Sequence, residues 1–278
     1  GVEFSDIDRK LCTDFIEKIL KITDESIDEN GKMTFKDAGM HFYLDWPTYE
    51  TPDAEVGTAS LFILAAKRYL EFANNAHANS IIQKLERYLD EDVKCKQTKA
   101  VQILAGRKIK PEDKAFLEDG GAKGLSTFMG YYILTAYEMA GGKKALDLIE
   151  EYYGAMLKMG ATSFWEDFDI EWVENAFRID EMPVAGKIDI HGDYGKYCYK
   201  GLRHSLCHGW AGGVLGFIIE RIIGLNICNG YQNIKVCKND YLANFSAKLP
   251  TPFGYVTIVK TDGHLAVDAP EKIDVVIE

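Results

Sequence analysis

The chain has 278 residues, 47 % of them apolar, which is enough to bury the core of one large domain or of one domain with a small satellite. Its 43 acids against 32 bases, a net charge of -11 spread along the whole length, give a phosphate backbone little to bind, so nucleic acid is not an expected partner. No run approaches the ~18 uninterrupted apolar residues of a membrane span, and "GVEFSDIDRK" has neither the charged start nor the apolar stretch of a signal peptide.

Gly1 reads as a cleavage scar, and "FSDIDRKLCTDFIEKILKI" is already a helix, with Phe4, Ile7, Leu11, Phe15 and Leu20 on one side. A chain that opens in this way is expected to have been cut from something longer. Any export signal would then lie upstream, which leaves the compartment unassigned. "TASLFILAAKRYLEFANNA" predicts a helix from Thr58 to Ala76 that is apolar on more than one face and therefore packed on two sides. "SIIQKLERYLDEDV", "GLSTFMGYYILTAYEMAG" and "KKALDLIEEYYGAMLKMG" follow as further helices, each separated by Gly, Asn or a charged turn, as in helical hairpins. Between them "LAGRKIKPEDKAFLEDGGAKG" is polar and Gly-rich, with a short helix after Pro111. From Glu166 to Gly201 no helical period is sustained, and a loop of that length in a compact domain usually has a function.

After "LGFIIERIIGL" the period switches to alternation, with Pro-Thr-Pro, Thr-Asp-Gly and Asp-Ala-Pro turn signals. The tail predicts four or five short antiparallel strands in a β domain over residues 226–278, docked on a helical domain over residues 1–225. Stacked helical hairpins with long loops describe an α-solenoid or an α/α toroid. No internal repeat at a fixed period is present, which favours the toroid. The fold class expected is thus mainly α: part of an (α/α)6 toroid followed by a small antiparallel β domain.

Cys12, Cys95, Cys198, Cys207, Cys228 and Cys237 lack CxxC spacing and are expected to be buried free thiols, with a Cys228–Cys237 bridge across two strands as the minority alternative. Chemistry concentrates elsewhere, in three segments. In "GATSFWEDFD" a helix ends in glycine and is followed by Trp165, Glu166, Asp167 and Asp169. Cations, not acids, suit a helix C-terminus, so these carboxylates point to function. "FYLDWPTYETPD" places Asp45 and Trp46 in a loop before a helix, and "LRHSLCHGWAGG" opens the last helix with Arg203, His204, His208 and Trp210. Trp46, Trp165 and Trp210 each stand beside an ionisable or imidazole side chain. That pairing suits a sugar, whose flat apolar faces are edged by hydroxyls. His204 and His208 are four apart with Cys207 between and His191 and Cys198 upstream, but no HExxH or closed Cys/His set appears and no metal is expected. Ser205 has no GxSxG elbow and glycine-rich phosphate loops are absent, so neither a hydrolytic triad nor a cofactor is expected.

These segments resemble those of the inverting α-L-rhamnosidases, whose catalytic domain is an (α/α)6 barrel followed by a C-terminal β-sandwich. "GATSFWEDF" is similar to the family's Gly-Ala-Thr-Thr-aromatic-Trp-Glu signature, "HSLCHGW" to its Asn/Cys-His segment, and "LDWP" and the β-rich tail fall in the family's order. The resemblance covers nearly all of the chain but only the later part of the family's catalytic domain. It implies Glu166 as general base, with Trp46 and His208 lining the sugar pocket. The family's earlier Asp/Arg/Glu cluster followed by Gly-Trp, which supplies the general acid, has no counterpart here. Fewer helices are present than the twelve of the full toroid.

The expectation is therefore the C-terminal fragment of an α-L-rhamnosidase-like glycoside hydrolase that releases terminal L-rhamnose from glycosides or polysaccharides. Glu166 is its base, and Asp45, Trp46, Trp165, His208 and Trp210 are its substrate contacts. An inverting enzyme needs a second carboxylate, ~6.5–9.5 Å from the first, to protonate the leaving oxygen. The isolated chain is accordingly expected to be inactive, and to self-associate through a truncated barrel face. The alternative is a non-catalytic carbohydrate-binding or scaffold protein of the same α/α fold.

Overall fold

The computed structural model describes residues 6–35, 41–48, 51–190 and 205–278. The chain divides into two compact units, one formed by Leu11–Gly213 and the other by Val214–Glu278 with the first residues of the chain. The division falls between Gly213 and Val214, just inside the start of the last helix. Among the described residues the protein is mainly α, with eight α-helices and two small three-stranded sheets. No helix among them is long and apolar enough to cross a membrane.

The larger unit is built on α1 (Asp6–Glu25), which belongs to it from Leu11 onward, α2 (Pro52–Leu70), α3 (Ala76–Leu85), α4 (Lys96–Leu104), α5 (Pro111–Glu118), α6 (Gly130–Met139) and α7 (Ala145–Lys158). α2 starts earlier and ends earlier than its apolar run predicts. Pro52 supplies a first-turn φ, and Asp53 and Glu55 suit the positive end of the helix dipole. Residues 71–75, assigned to its end, form a turn instead and lead into α3 at Ala76, where the Asn75 side chain accepts the Ala78 amide at 3.0 Å. α2 packs on α3 and α4, and α4 on α5 and α6. Ile63, Ala66, Ile81 and Leu85 lie in the resulting core with Leu20, Ile27 and Met33.

α1 divides its apolar residues. Leu20 is buried, whereas Leu11 and Phe15, expected beside it, are 67 % and 63 % exposed. Its polar flank faces the fold: Tyr69 donates to Glu17 at 2.8 Å, and Ser80 and Lys84 donate to Asp24 at 2.6 and 2.8 Å.

α4 has no signature in the sequence because it buries polar and apolar residues alike. Lys96, Gln97, Thr98, Lys99 and Gln102 are all buried, and each long side chain reaches a partner: Lys96 donates to the Gly121 carbonyl at 2.8 Å and Gln102 to those of Tyr88 and Glu91. The Asp53 carboxylate accepts the amides of Lys94 and Cys95 at 2.7 and 2.6 Å, which ties the start of α4 to α2.

The smaller unit carries α8 (Gly213–Phe217), most of which belongs to it and which continues through a π-helical turn over Ile218–Ile222, and strands β1 (Leu225–Cys228), β2 (Asn233–Val236), β3 (Phe245–Thr251), β4 (Gly254–Thr261), β5 (His264–Asp268) and β6 (Asp274–Ile277). The expectation of a wholly antiparallel domain is corrected: β3-β4-β5 and β1-β2 are antiparallel, but β6 joins β2 in parallel, with Ile234 opposite Val275. In this register Val275 packs against the core of Leu225, Ile234, Val236, Val256, Ile258 and Ile273. Asp262 and Gly263, both at positive φ, make the two-residue turn between β4 and β5 that Asp-Gly favours.

Among the described residues the cysteines are free but not buried. Cys12, Cys207 and Cys228 are exposed and Cys95 and Cys237 half-buried, and Cys228 and Cys237 are both free thiols with no bridge between them. Cys198 lies outside the described residues. Burial, with the neighbouring Asp53 carboxylate, pushes the Cys95 thiol up to about 12, which rules it out as a nucleophile near neutral pH.

Candidate functional site

The first of the three segments begins where α7 stops. Gly160 takes φ +93°, its amide donates to the Leu157 carbonyl at 3.0 Å, and the Ala161 amide donates to that of Met156 at 3.2 Å, closing the helix in a Schellman turn. The next residues divide by size and polarity. Trp165 and Phe168 turn inward, each 1 % exposed, with rings edge-on at 5.6 Å, and the Tyr152 hydroxyl donates to the Phe168 carbonyl. Trp165 is therefore a core residue and not a sugar platform, which corrects the expectation drawn from its acidic neighbours.

The three carboxylates have three different surroundings. Asp169 caps a 3-10 turn over Ile170–Val173 by accepting the Glu171 amide at 2.9 Å. Asp167 is buried. Burial, then the charge of Asp45, pushes its carboxyl up to about 7, against the Phe168 amide that favours the charged form. Glu166 faces a cavity. Its carbonyl accepts the Thr127 hydroxyl at 2.7 Å, its amide donates to the Ser205 carbonyl at 2.8 Å, and its carboxylate accepts the Ser205 amide at 2.8 Å. The His208 amide donates to the Phe164 carbonyl at 2.8 Å, so the two segments are laced together by backbone.

The cavity has a volume of about 350 Å³ and is lined by Tyr43, Asp45, Trp46, Phe128, Glu166, His208 and Trp210. This is the small end of the ~300–1,000 Å³ range of ligand pockets. Five residues singled out in sequence (Asp45, Trp46, Glu166, His208, Trp210) thus meet in one place within the larger unit. Trp46 stands in a 3-10 turn with Tyr43 edge-on at 4.9 Å. Trp210, 72 % exposed, lies 5.8 Å from Phe128 and 6.1 Å from His208, ring to ring. Aromatic rings with two acids and an imidazole give a cavity that is mostly apolar and polar at a few points.

Asp45 is 3 % exposed and heavily hydrogen-bonded. It accepts the Trp46 amide at 2.8 Å, the Ser126 hydroxyl and the Met129 amide. Burial pushes its carboxyl above the ordinary carboxylate value, and these donors and the charge of His208 oppose that rise without cancelling it.

Tyr43 and Phe128 were not picked out in sequence. Tyr43 stands close to Trp46 in "FYLDWP", which was a usable signal; Phe128, just ahead of α6, had none. His191, Cys198, Arg203 and His204 lie outside the described residues. Among those described, no group of three or more His, Cys, Asp or Glu side chains is arranged to hold a metal ion. No family model matches the chain, no curated protein matches its sequence and no solved structure matches its fold.

Proposed function

We propose that this chain is the C-terminal part of an inverting, α-L-rhamnosidase-like glycoside hydrolase, its helices part of an (α/α)6 toroid, and that its cavity accepts a terminal L-rhamnose of a glycoside or polysaccharide. One observation carries the reading: Asp45 and Trp46, Glu166, and His208 and Trp210, from three distant segments, line a single cavity of sugar size. Indole faces bind the apolar face of a pyranose, and carboxylates and imidazole bind its hydroxyls. Glu166 is the general base. Its orientation is held by the Ser205 amide, and it takes a proton from a water that attacks the anomeric carbon.

A second reading is favoured by the wiring of Asp45, the other carboxylate of the cavity, whose oxygens accept hydrogen bonds from three donors. A cavity with a base and no proton donor binds a sugar without cleaving it, as a non-catalytic carbohydrate-binding protein would. Titration calorimetry with L-rhamnose, beside hydrolysis of 4-nitrophenyl α-L-rhamnopyranoside, tests both. Binding with slow or no hydrolysis is expected of this chain, and hydrolysis requires the missing acid to be supplied. Absence of rhamnose binding at millimolar concentration would contradict both readings.

A further inference from the structure

The side chains behind Asp45 form a chain of hydrogen bonds that runs towards it. Gln97, on α4 and 1 % exposed, places its amide nitrogen 2.9 Å from the Gly124 carbonyl and 3.2 Å from the Ser126 hydroxyl. A carbonyl can only accept, so the atom facing Gly124 is the NH2 group, and its second hydrogen goes to Ser126. The Ser126 oxygen accepts from Gln97 with one lone pair, and its hydroxyl donates to Asp45 Oδ2. Both members are buried, with Ser126 2 % exposed, so water does not compete for these positions.

We propose that Gln97 and Ser126 are positioning residues, a one-way relay that holds Asp45 as a hydrogen-bond acceptor at the cavity wall. Asp45 then takes a hydrogen bond from a ligand hydroxyl and is not the proton donor to a leaving group. Burial already pushes the Asp45 carboxyl up with the relay in place; without the relay it would take up a proton at a higher pH still, turn donor and lose its match to that hydroxyl. The ionisable groups around Asp45 are His208 and Glu166 in the cavity, Asp167 behind it, and Tyr152 and Tyr153 from α7. All of them remain when the relay is cut, so the relay is read from the difference between variants.

The test follows the carboxyl carbon signal of Asp45 through a pH titration by ¹³C NMR of the full chain, assigned by its loss in Asp45→Asn. In Ser126→Ala the midpoint should rise by about one to two pH units, the equivalent of one hydrogen bond to a charged group. Gln97→Met, which keeps the Ser126 hydroxyl but frees its rotation, should raise it by less and serves alone if Ser126→Ala does not fold. An unchanged or lowered midpoint in the folded variants would overturn the relay. A second arm, resting on the sugar reading above, measures L-rhamnose binding, which should weaken about tenfold or more in Ser126→Ala, increasingly towards acid pH. A uniform loss across pH would mean that the residue is merely structural. A shifted midpoint with no rhamnose binding even by the wild type would leave the relay standing and remove the sugar.

Discussion

Glu166 and Ser205 hold each other twice: the Ser205 amide donates to the Glu166 carboxylate and the Glu166 amide donates to the Ser205 carbonyl, both at 2.8 Å. The side chain proposed as base is thus oriented by a backbone N–H that no side-chain substitution removes. In an enzyme that contains this chain and the acid, Glu166→Gln should keep rhamnose affinity within about threefold, because the amide oxygen still accepts from Ser205, and should cut turnover by roughly a hundredfold or more. Asp167→Asn should cost much less, since that side chain does not line the cavity. Steady-state kinetics and calorimetry on the two variants decide it, and the reverse order of effects would move the base by one residue.

Asp167 makes a separate prediction about stability. Its carboxyl is pushed up to about 7 by burial first and then by Asp45, Asp169 and Glu166, so between the unfolded value near 4 and about 7 the native state holds a proton that the unfolded state has lost. Stability from this group is present below that window, falls as pH rises through it and levels off above. Asp167→Asn, which is neutral throughout, should flatten the decline and stabilise the protein at pH 8 by on the order of 1–3 kcal/mol. Thermal melts at pH 5 and pH 8 measure the difference; a variant that melts lower at pH 8 would contradict it.

The tryptophans should separate by role. Trp165→Ala removes a ring buried to 1 % exposure against Phe168 and should cost ~3–5 kcal/mol. Trp210→Ala, at 72 % exposure, should change stability by roughly 0.5 kcal/mol or less yet weaken rhamnose binding. Urea unfolding and calorimetry on the same two samples test the pair.

On α1, Leu11, Phe15, Ile19 and Ile22 form an exposed apolar stripe at helical spacing. Contiguous apolar surface of this kind drives association. The chain should sediment with a concentration-dependent mass that Phe15→Lys together with Ile19→Lys abolishes. A monomer at all concentrations would show that the stripe tolerates water.

What was legible in the sequence follows from where the physics is local. The Gly160 stop, the Pro111 start of α5 and the Asp262-Gly263 turn each depend on one or two residues and could be read directly. The period switch announced the strands, but not that β6 would run parallel to β2, because pairing depends on residues far apart in the chain. α4 was hidden because Lys96, Gln97 and Gln102 are buried through hydrogen bonds that no pattern of apolar residues reports. Five of the cavity residues stood out as acids, imidazole or indole beside one another; Trp165 misled because the same local pattern serves a core ring whose neighbour alone faces the cavity. The Gln97–Ser126–Asp45 relay joins three segments and exists only once they are folded together.

The central claim is that the cavity between Trp46 and Trp210 takes the sugar, and the indole N–H signals of the folded chain report on it most directly. On titration with L-rhamnose, followed by ¹⁵N-correlated NMR, the signals of Trp46 and Trp210 should move together and saturate at one dissociation constant, while that of Trp165 stays in place. If neither Trp46 nor Trp210 moves at saturating sugar, the cavity is not a rhamnose site.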